Sequence, residues 1–383
     1  MNWRHWSGYF APSSYDDFHD PEYHAMRNGA GLIDVSPLFK YEIRGRDAAK
    51  LVNRIVTRNA AKAKVGQVLY VPWCDREGKV IQDGTFQRLD ETTFRATAAD
   101  PTLRWFELNA EGMEVEIEDV SEQVGALALQ GPRSREILME LSSTDLSDLK
   151  YFWITRTNLG DVPTWVSRTG FTGDLGYEVW VSRDHAEQVW DLLMEAGKGR
   201  GITPAGMLAL DLARIEAGYP LIEVDFISAA KALIESQKSS PYEIGLGWAV
   251  NFNKPYFIGR EALEKEKEKG STYAFVGLEI KWEELEKLHE EVGLLPQLSN
   301  VASREPVPVY VDDLQIGRAT SSCWSKLLKK FIALASVRSE HAKPGTRVEL
   351  EMTIEYARKR VAAKVAPLPF FDPERKRSVL KRP

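Results

Sequence analysis

The stretch GQVLYVPWCDREGKVIQDGTFQRLDETTFRATA, residues 66–98, admits few folds. Its β-branched and alternating runs are broken by the polar turns DREG and LDET, so the chain must reverse at each break and pair with itself. The result is an antiparallel meander. A second stretch, VSRTGFTGDLGYEVWV at 166–181, places two strand-like runs around a turn that contains Gly170, Gly173 and Gly176. Glycine reaches positive φ at little cost, so this spacing marks a backbone that turns tightly or approaches something closely. In a strand, Tyr177 and Val179 point one way and Glu178 and Trp180 the other. The Glu178 carboxylate then lies beside a large ring just after the turn, where a ligand with apolar and amide edges could meet it.

Helical segments separate these strands. PEYHAMRNGA ends at glycine, KYEIRG reads as a strand, and DAAKLVNRIV reads as a helix with Asp47 as its N-cap. GALALQGPRSREILMEL is a strand, a Gly-Pro turn and an amphipathic helix, and DHAEQVWDLLMEAGKGRG is another helix closed by glycine. An α+β body with antiparallel sheets follows. Around 260–300 the composition shifts to REALEKEKEKG and KWEELEKLHEEVG, dense in Glu and Lys, which read as exposed helix or linker. Beyond them PVPVYVDDLQIGRATSS, KFIALASV and GTRVELEMTIEYARKRVAAKVAPLPFF predict short strands and a separate all-β terminal domain, its boundary falling between 270 and 305. A chain of 383 residues exceeds one ordinary core, so two or three domains are expected. The expected limits are 1–120, free to be discontinuous, then 121–280 and 281–383.

Composition excludes several functions. With 43% hydrophobic and 28% charged residues the chain is a folded soluble protein. Its net charge of −6, from 50 basic and 56 acidic residues, argues against a nucleic-acid partner. The locally basic PERKRSVLKRP reads as a solvated end. Cys74 and Cys323 are far apart with no CxxC, so neither a disulfide framework nor a zinc site is expected, and a reducing compartment fits. MNWRHWSGYFAPSS lacks an apolar signal core, and no apolar run approaches the roughly 18 residues that span a membrane. A cytoplasmic location is expected. No GxGxxG follows a strand, no P-loop or GxSxG exists, and HEEVG at His289 is not HExxH, which disfavours nicotinamide, ATP, serine-hydrolase and metal chemistry. What remains is a set of carboxylates and aromatics embedded in turns.

Taken in order, GAGLIDVS (29–36), GQVLYVPWCDREGKVIQDG (66–84), ALQGP (128–132), RTGFTGDLGYEV (168–179), ARIEAGYPL (213–221), GLGWAVNFNKPYFIGREAL (245–263) and GRATSSCWS (317–325) resemble the aminomethyltransferase family typified by the T-protein of the glycine cleavage system. The resemblance spans most of the chain. It implies a three-domain ring around a cavity for tetrahydrofolate, the third domain being a small β-barrel-like module. By the family pattern Glu178 hydrogen-bonds the pterin ring, whose N–H and NH₂ edge a carboxylate can accept bidentately. Asp83 matches the family's catalytic aspartate, while Gln82 replaces the first of two adjacent acids. A carboxylate there can stabilise the charge on a folate nitrogen and accept its proton; the plainer reading of Asp83 is a turn residue before Gly84. Tyr70 matches a ligand-contacting tyrosine, or is core. Arg214 matches an arginine near the cavity, or forms an ion pair with Asp211. Tyr177 and Trp248 are candidates for stacking on the pterin or aminobenzoate, or else pack the core. Phe171 stands where the family commonly has tyrosine.

Two segments depart from the family pattern. SGYFAPSSYDDFHDPEYHAMRNGAG replaces a GW-x-MP type segment, and DFISAAKALIESQKSSPYEIG replaces a shorter connection, both bordering the cavity entrance. The expected donor is therefore a small methylated or aminomethyl compound other than the aminomethyl-lipoyl arm. The expected activity is tetrahydrofolate-dependent one-carbon transfer of demethylase type, with the aminomethyltransferase of glycine cleavage as the alternative. An alkoxide or phenoxide leaving group would need a proton donor, for which Tyr9, Tyr15, His19, Tyr23 and His24 are candidates. A non-catalytic folate-binding module is disfavoured, because such relatives carry a KGCYxGQE cysteine where this chain reads AKALIESQKSSPYEIG. A folate subunit of a flavin oxidase would need a flavoprotein partner. Homo-oligomerisation stays open.

Overall fold

The computed structural model describes residues 2–379. A hairpin of β1 (Asn2–Trp6) and β2 (Tyr9–Ser14) leads into α1 (Asp20–Asn28) and β3 (Ala30–Asp34). Then come β4 (Phe39–Arg44), α2 (Ala48–Ile55), β5 (Val68–Cys74), β6 (Val80–Arg88), β7 (Thr93–Ala98), α3 (Leu103–Asn109) and β8 (Glu116–Asp119). They build one sheet in the order β5-β6-β7-β4-β8. Next are β9 (Val124–Gln130), α4 (Ser134–Leu141), β10 (Ile154–Leu159), β11 (Val162–Ser167), β12 (Gly176–Ser182), α5 (Ala186–Gly197) and β13 (Ile202–Pro204). With β3 they form a second sheet, β10-β11-β12-β9-β3-β13. After α6 (Met207–Glu216) and α7 (Arg260–Lys269) comes a closed barrel. It uses β14 (Tyr273–Ile280), β15 (Val307–Val311), β16 (Leu314–Ser325), β17 (Lys330–Arg338), β18 (Arg347–Ile354) and β19 (Ala357–Ala366), with α8 (Trp282–Glu290) inserted after its first strand.

Strand alternation decides what each sheet buries. In the meander, Leu69, Val71, Trp73, Phe86, Phe94 and Ala96 pack with Leu51, Val52, Ile55 and Phe106 into one core. The opposite face carries Tyr70, Asp83 and the Thr85–Thr97 hydroxyl pair, 2.6 Å apart. In the second sheet Tyr177, Val179 and Val181 join Leu127, Leu129, Ile137, Leu138, Val189 and Leu193. Trp180, Ala126, Ala128 and Ile33 turn the other way, toward α6 and the barrel residues Cys323, Ile332 and Leu334. The two sheets are stitched edge to edge, Val68 N donating to Phe152 O at 2.9 Å and Ile154 N to Gly66 O at 2.8 Å.

The α+β ring with a terminal barrel agrees with expectation, but several details differ. The barrel begins with β14 at Tyr273, ahead of residue 281. Strand β3 belongs to the second sheet although it precedes the first. The segment carrying Ile222, Phe226, Ile244, Leu246 and Phe257 packs on Cys74 and Val80 of the first module rather than on the second. Asp47 sits at the start of α2 but makes no cap bond there; its carboxylate accepts from Glu114 N at 2.9 Å. The basic end is largely exposed, as expected, but it is also docked, with Lys376 buried. Buried Arg168 donates to the carbonyls of Arg375 and Lys376 at 3.0 Å and of Ser378 at 2.7 Å, and Arg375 grips Asp174 at 2.6 and 2.8 Å. Residues 380–383 of that segment lie outside the described residues.

Helix α6 is where the modules meet, and its last residues are buried with their charges. Arg214 donates to Asp225 at 2.6 Å and to barrel residue Ser321 at 2.8 Å. Asp225 also accepts from the hydroxyls of Thr320 and Ser321 at 2.6 and 2.7 Å. Glu216 accepts from Tyr23 and Ser325, each at 2.6 Å, and from Arg27 at 2.6 and 3.1 Å. Removing one member of a buried pair strands the other charge, which costs about 3–5 kcal/mol. Asp225→Ala is expected to lower unfolding stability by that amount in urea titrations followed by circular dichroism. Glu91→Ala, which loses only an exposed partner of Arg88, should stay within about 0.5 kcal/mol of the parent. Equal effects would show that Arg214–Asp225 is no keystone.

Candidate functional site

The glycine-rich turn makes room for a close approach, as expected, but what approaches is a side chain of the protein itself. A Cβ on Gly170 or Gly176 would lie 2.0 or 2.2 Å from the Gln130 amide, and one on Gly173, at φ +73°, would lie 2.5 Å from Ala217. The close approach is to Gln130, whose amide donates to Thr169 O and Tyr177 O at 3.2 Å and accepts from Thr172 at 2.9 Å. A glutamine from β9 thus braces the turn from within. No ligand is needed to explain the glycines.

What the braced turn presents is Glu178. The side chain is half-buried, pairs across β11 with Ser167, and accepts from the Thr169 hydroxyl at 2.5 Å. Burial pushes its pKa up, while Thr169 and Ser167 pull it down. Tyr177, one residue earlier, points into the opposite core with its hydroxyl accepting from Arg135 at 2.9 Å. It is a core residue, and no ligand contact is proposed for it.

Asp83 occupies the inner face of the first sheet. It is half-buried on β6, and the Tyr70 hydroxyl from β5 donates to its Oδ2 at 2.5 Å. Cross-strand pairing sets this contact: Tyr70 lies opposite Thr85 and Asp83 opposite Pro72, so the phenol reaches diagonally along one face. Burial pushes the Asp83 carboxyl up to about 6, against the lowering effect of Tyr70. Tyr70 itself is pushed well above the ordinary phenol range, first by burial and then by Asp83, so it stays a proton donor.

A run of aromatics leads from Tyr70 to the glycine turn. Tyr219 lies near enough to Tyr70 to raise its pKa, and stacks on Phe171 of the glycine turn at 5.5 Å and 30°. Tyr151 hydrogen-bonds Tyr219, and Lys376 of the C-terminal strap lies 5.2 Å over the Tyr219 ring. At the other end Trp248 is 61% exposed, with its ring 6.3 Å from that of Tyr70. Asp83, Tyr70 and Trp248 thus stand at one end of an aromatic run that reaches, through Tyr219, Phe171 in the turn that precedes Glu178. Arg214 does not join it through a free guanidinium, being spent on Asp225 and Ser321, with Nε 3.6 Å from Asp211.

The N-terminal acid candidates are engaged elsewhere. Tyr23 donates to Glu216, a His19 ring nitrogen pairs with Asn300 O at 2.9 Å, and Tyr9 donates to Glu122. Tyr15 stacks on Trp190 at 6.0 Å, and exposed His24 meets the edge of Tyr23. Tyr219 and Tyr151 were missed by sequence reasoning; Tyr219 stands inside ARIEAGYPL, where its distance from the turn hid its partner. Among the described residues no group of three His, Cys, Asp or Glu could hold a metal, and no helix is long and apolar enough to cross a membrane.

Comparison with known proteins agrees with the fold. Residues 1–254 match the GCVT N-terminal domain and residues 290–372 the glycine cleavage T-protein C-terminal barrel domain. An aminomethyltransferase from Caldanaerobacter subterraneus subsp. tengcongensis is 34% identical over 86% of this chain and 82% of its own. A trimethylamine-oxide aldolase from Ruegeria pomeroyi is 37% identical over 93% of this chain but only 43% of its own. The crystal structure of glycine cleavage system aminomethyltransferase T from Bartonella henselae superposes with a TM-score of 0.82 at 23% identity, covering 97% of this chain and 94% of that one, and so shares the fold.

The Tyr70–Asp83 contact makes a direct prediction. In a ¹³C titration of aspartate carboxyls, Asp83 is expected to titrate near 6, and higher in Tyr70→Phe, because the lost hydrogen bond favours the charged form. A midpoint near the usual ~4, or a downward move in Tyr70→Phe, would remove Asp83 from the chemistry proposed below.

Proposed function

This chain belongs to the glycine cleavage T-protein family, and from that premise we propose that it transfers a one-carbon unit from a small methylated or aminomethyl donor to tetrahydrofolate. The observation that carries the reading is Asp83, a half-buried carboxylate held by Tyr70 with its pKa pushed up to about 6. A base of near-neutral pKa suits proton transfer at physiological pH. The residues also suit a folate. Glu178 offers a carboxylate to the donor edge of a pterin, and Phe171, Tyr219, Tyr70 and Trp248 offer flat apolar walls for its rings.

Bound tetrahydrofolate would supply the nucleophilic nitrogen. The chain's own part is to orient that nitrogen toward the donor, to offset the positive charge that develops on it, and to take its proton on Asp83. The donor's bond to the transferred carbon breaks with its electron pair kept by the leaving atom. Because the N-terminal tyrosines and histidines are engaged elsewhere, a leaving group that needs no acid fits this site better than an alkoxide or phenoxide. Cationic methylammonium or sulfonium donors meet that condition, and the relative named for trimethylamine oxide supports a small methylated amine. The second reading, aminomethyl transfer in glycine cleavage, is favoured by the 34% identity to a named aminomethyltransferase over most of both chains.

The test is incubation with tetrahydrofolate and a panel of N-, S- and O-methyl donors, with an aminomethyl-lipoyl donor alongside, and the folate products resolved by mass. Methyl-tetrahydrofolate is the expected product; methylene-tetrahydrofolate from the lipoyl donor alone would select the second reading. Asp83→Asn should bind folate yet lose roughly 10²–10³ in single-turnover rate. The wild-type rate should fall as pH drops through about 6, where the carboxylate protonates. Glu178→Ala should weaken folate binding by about 1.5–3 kcal/mol with a smaller effect on the bound step. An Asp83→Asn enzyme that keeps more than half the wild-type rate would end the proposal.

A further inference from the structure

Beside Tyr70 and the exposed Trp248 sits a cation that no carboxylate pairs among the described residues. Arg58 is half-buried in the loop after α2, and its guanidinium lies 5.5 Å over the Trp248 ring. Its hydrogen bond to the protein is a long one, Nη1 to Tyr70 O at 3.4 Å. Among the described residues no carboxylate lies within ion-pair distance of it, and burial alone lowers its pKa. In a chain with six more acidic than basic residues, where most buried arginines found an acid or a row of carbonyls, this is an exception that calls for a ligand.

The surroundings hold Arg58 in place rather than let it swing. The neighbouring Thr57 hydroxyl donates to Ala249 O at 2.9 Å, and Asn251 N donates to Thr57 O at 3.1 Å. Lys254 caps the same loop, its Nζ donating to Val56 O at 2.7 Å and Arg58 O at 2.9 Å. The segment that carries Trp248 is thus fastened to the segment that carries Arg58. Lys254 adds positive potential and likewise donates its hydrogen bonds to carbonyls, including that of Asn53. Tyr70 connects this pair to Asp83, since its carbonyl meets Arg58 and its hydroxyl meets the aspartate.

We propose that Arg58, stacked on Trp248, is a carboxylate-binding subsite at the mouth of the Asp83 site, one tyrosine away from Asp83. This rests on the one-carbon transfer reading for its biological use. A planar guanidinium backed by an indole takes a carboxylate through two parallel N–H donors. Two ligands could bring that carboxylate: a methylated amino-acid donor of the N-methylglycine class, or the glutamyl tail of the folate. The first makes Arg58 a determinant of donor choice, placing the carboxylate at the mouth and the methylated nitrogen toward Asp83. The second makes it a determinant of folate affinity.

The binding claim is tested without turnover by ¹⁵N NMR of the arginine Nε–Hε signals, assigned by their loss in Arg58→Gln. Titration with N-methylglycine, and separately with tetrahydrofolate, is expected to shift the Arg58 signal, while trimethylamine shifts nothing. Kinetics then separate the sources. If the donor supplies the carboxylate, Arg58→Gln lowers kcat/KM for N,N-dimethylglycine by roughly 10- to 100-fold, the worth of a charge-assisted hydrogen bond, and leaves methylamines that lack a carboxylate unchanged. If folate supplies it, the same variant weakens tetrahydrofolate by that factor but not tetrahydropteroate, which lacks the glutamate. Arg58→Lys, which keeps the charge but not the fork, should recover only part of either effect. An Arg58 signal unmoved by both carboxylates, with Arg58→Gln folded by its melting curve, would overturn the subsite. A moved signal in a protein that transfers no carbon would instead overturn the function and keep the site.

Discussion

The ring depends on charges that cannot leave helix α6. Arg214 and Glu216 are fully buried at its C-terminal end, and their short hydrogen bonds go to groups outside the helix: Asp225 and Ser321 for the arginine, Tyr23, Arg27 and Ser325 for the glutamate. A buried ion pair seldom adds much net stability over an apolar substitute, because desolvation offsets the attraction. Its value is that wrong arrangements are worse. If the barrel slid against α6, Ser321, Thr320 and Ser325 would leave two carboxylates short of donors in a dry setting. The apolar faces of both sheets could pack in several ways, and these eight hydrogen bonds select one.

That rigidity is what lets the site hold acids in unfavourable surroundings. Keeping Asp83 ionised at neutral pH, with its pKa pushed up to about 6, costs on the order of 3 kcal/mol relative to an exposed aspartate. Exposing the carboxyl to water would relieve this, but Tyr70 and Asp83 are fixed on paired strands whose other faces hold Trp73 and Phe86 in the core. Glu178 is fixed in the same way, with Val179 and Tyr177 buried behind it. Strain of this kind is expected where chemistry or binding recovers it. The buried Gln130 brace and the Arg168 clamp on the C-terminal strap serve the same end, holding the turn and its aromatic neighbours from behind.

Much of this was legible because it is periodic. The alternation of β12 separates Glu178 from Tyr177 by inspection, and the meander places Tyr70 and Asp83 on strands that are neighbours in sequence. The barrel, too, shows in the run of short strands after residue 300. What stayed hidden has no period. Tyr219 meets Phe171 across 48 residues of chain, and Arg168 meets Ser378 across 210. Asp47 has the residue type of an N-cap, but a backbone N–H at Glu114 competes for its carboxylate and wins. The glycines at 170 and 176 were rightly seen as making room, and only the packed structure shows that the room is for Gln130.

The two halves of the site are built from different material. The acceptor side stands on strands: Tyr70, Asp83 and Glu178 cannot move without shifting a sheet whose far face is core. The mouth stands on loops, with Arg58 after α2 and Trp248 in a single short turn, tied together by the buried Lys254 ammonium and the Thr57 hydroxyl. Burial pulls the Lys254 pKa down to about 7, so the tie between these loops is itself the least comfortable charge in the region. A substitution at Arg58 or Trp248 disturbs neither sheet, whereas one at Asp83 or Glu178 acts directly on the inner face of one. The fold therefore separates the residues that would handle the acceptor from those that would choose what reaches it. Donor selectivity can change at the mouth while the strand-borne carboxylates stay where they are.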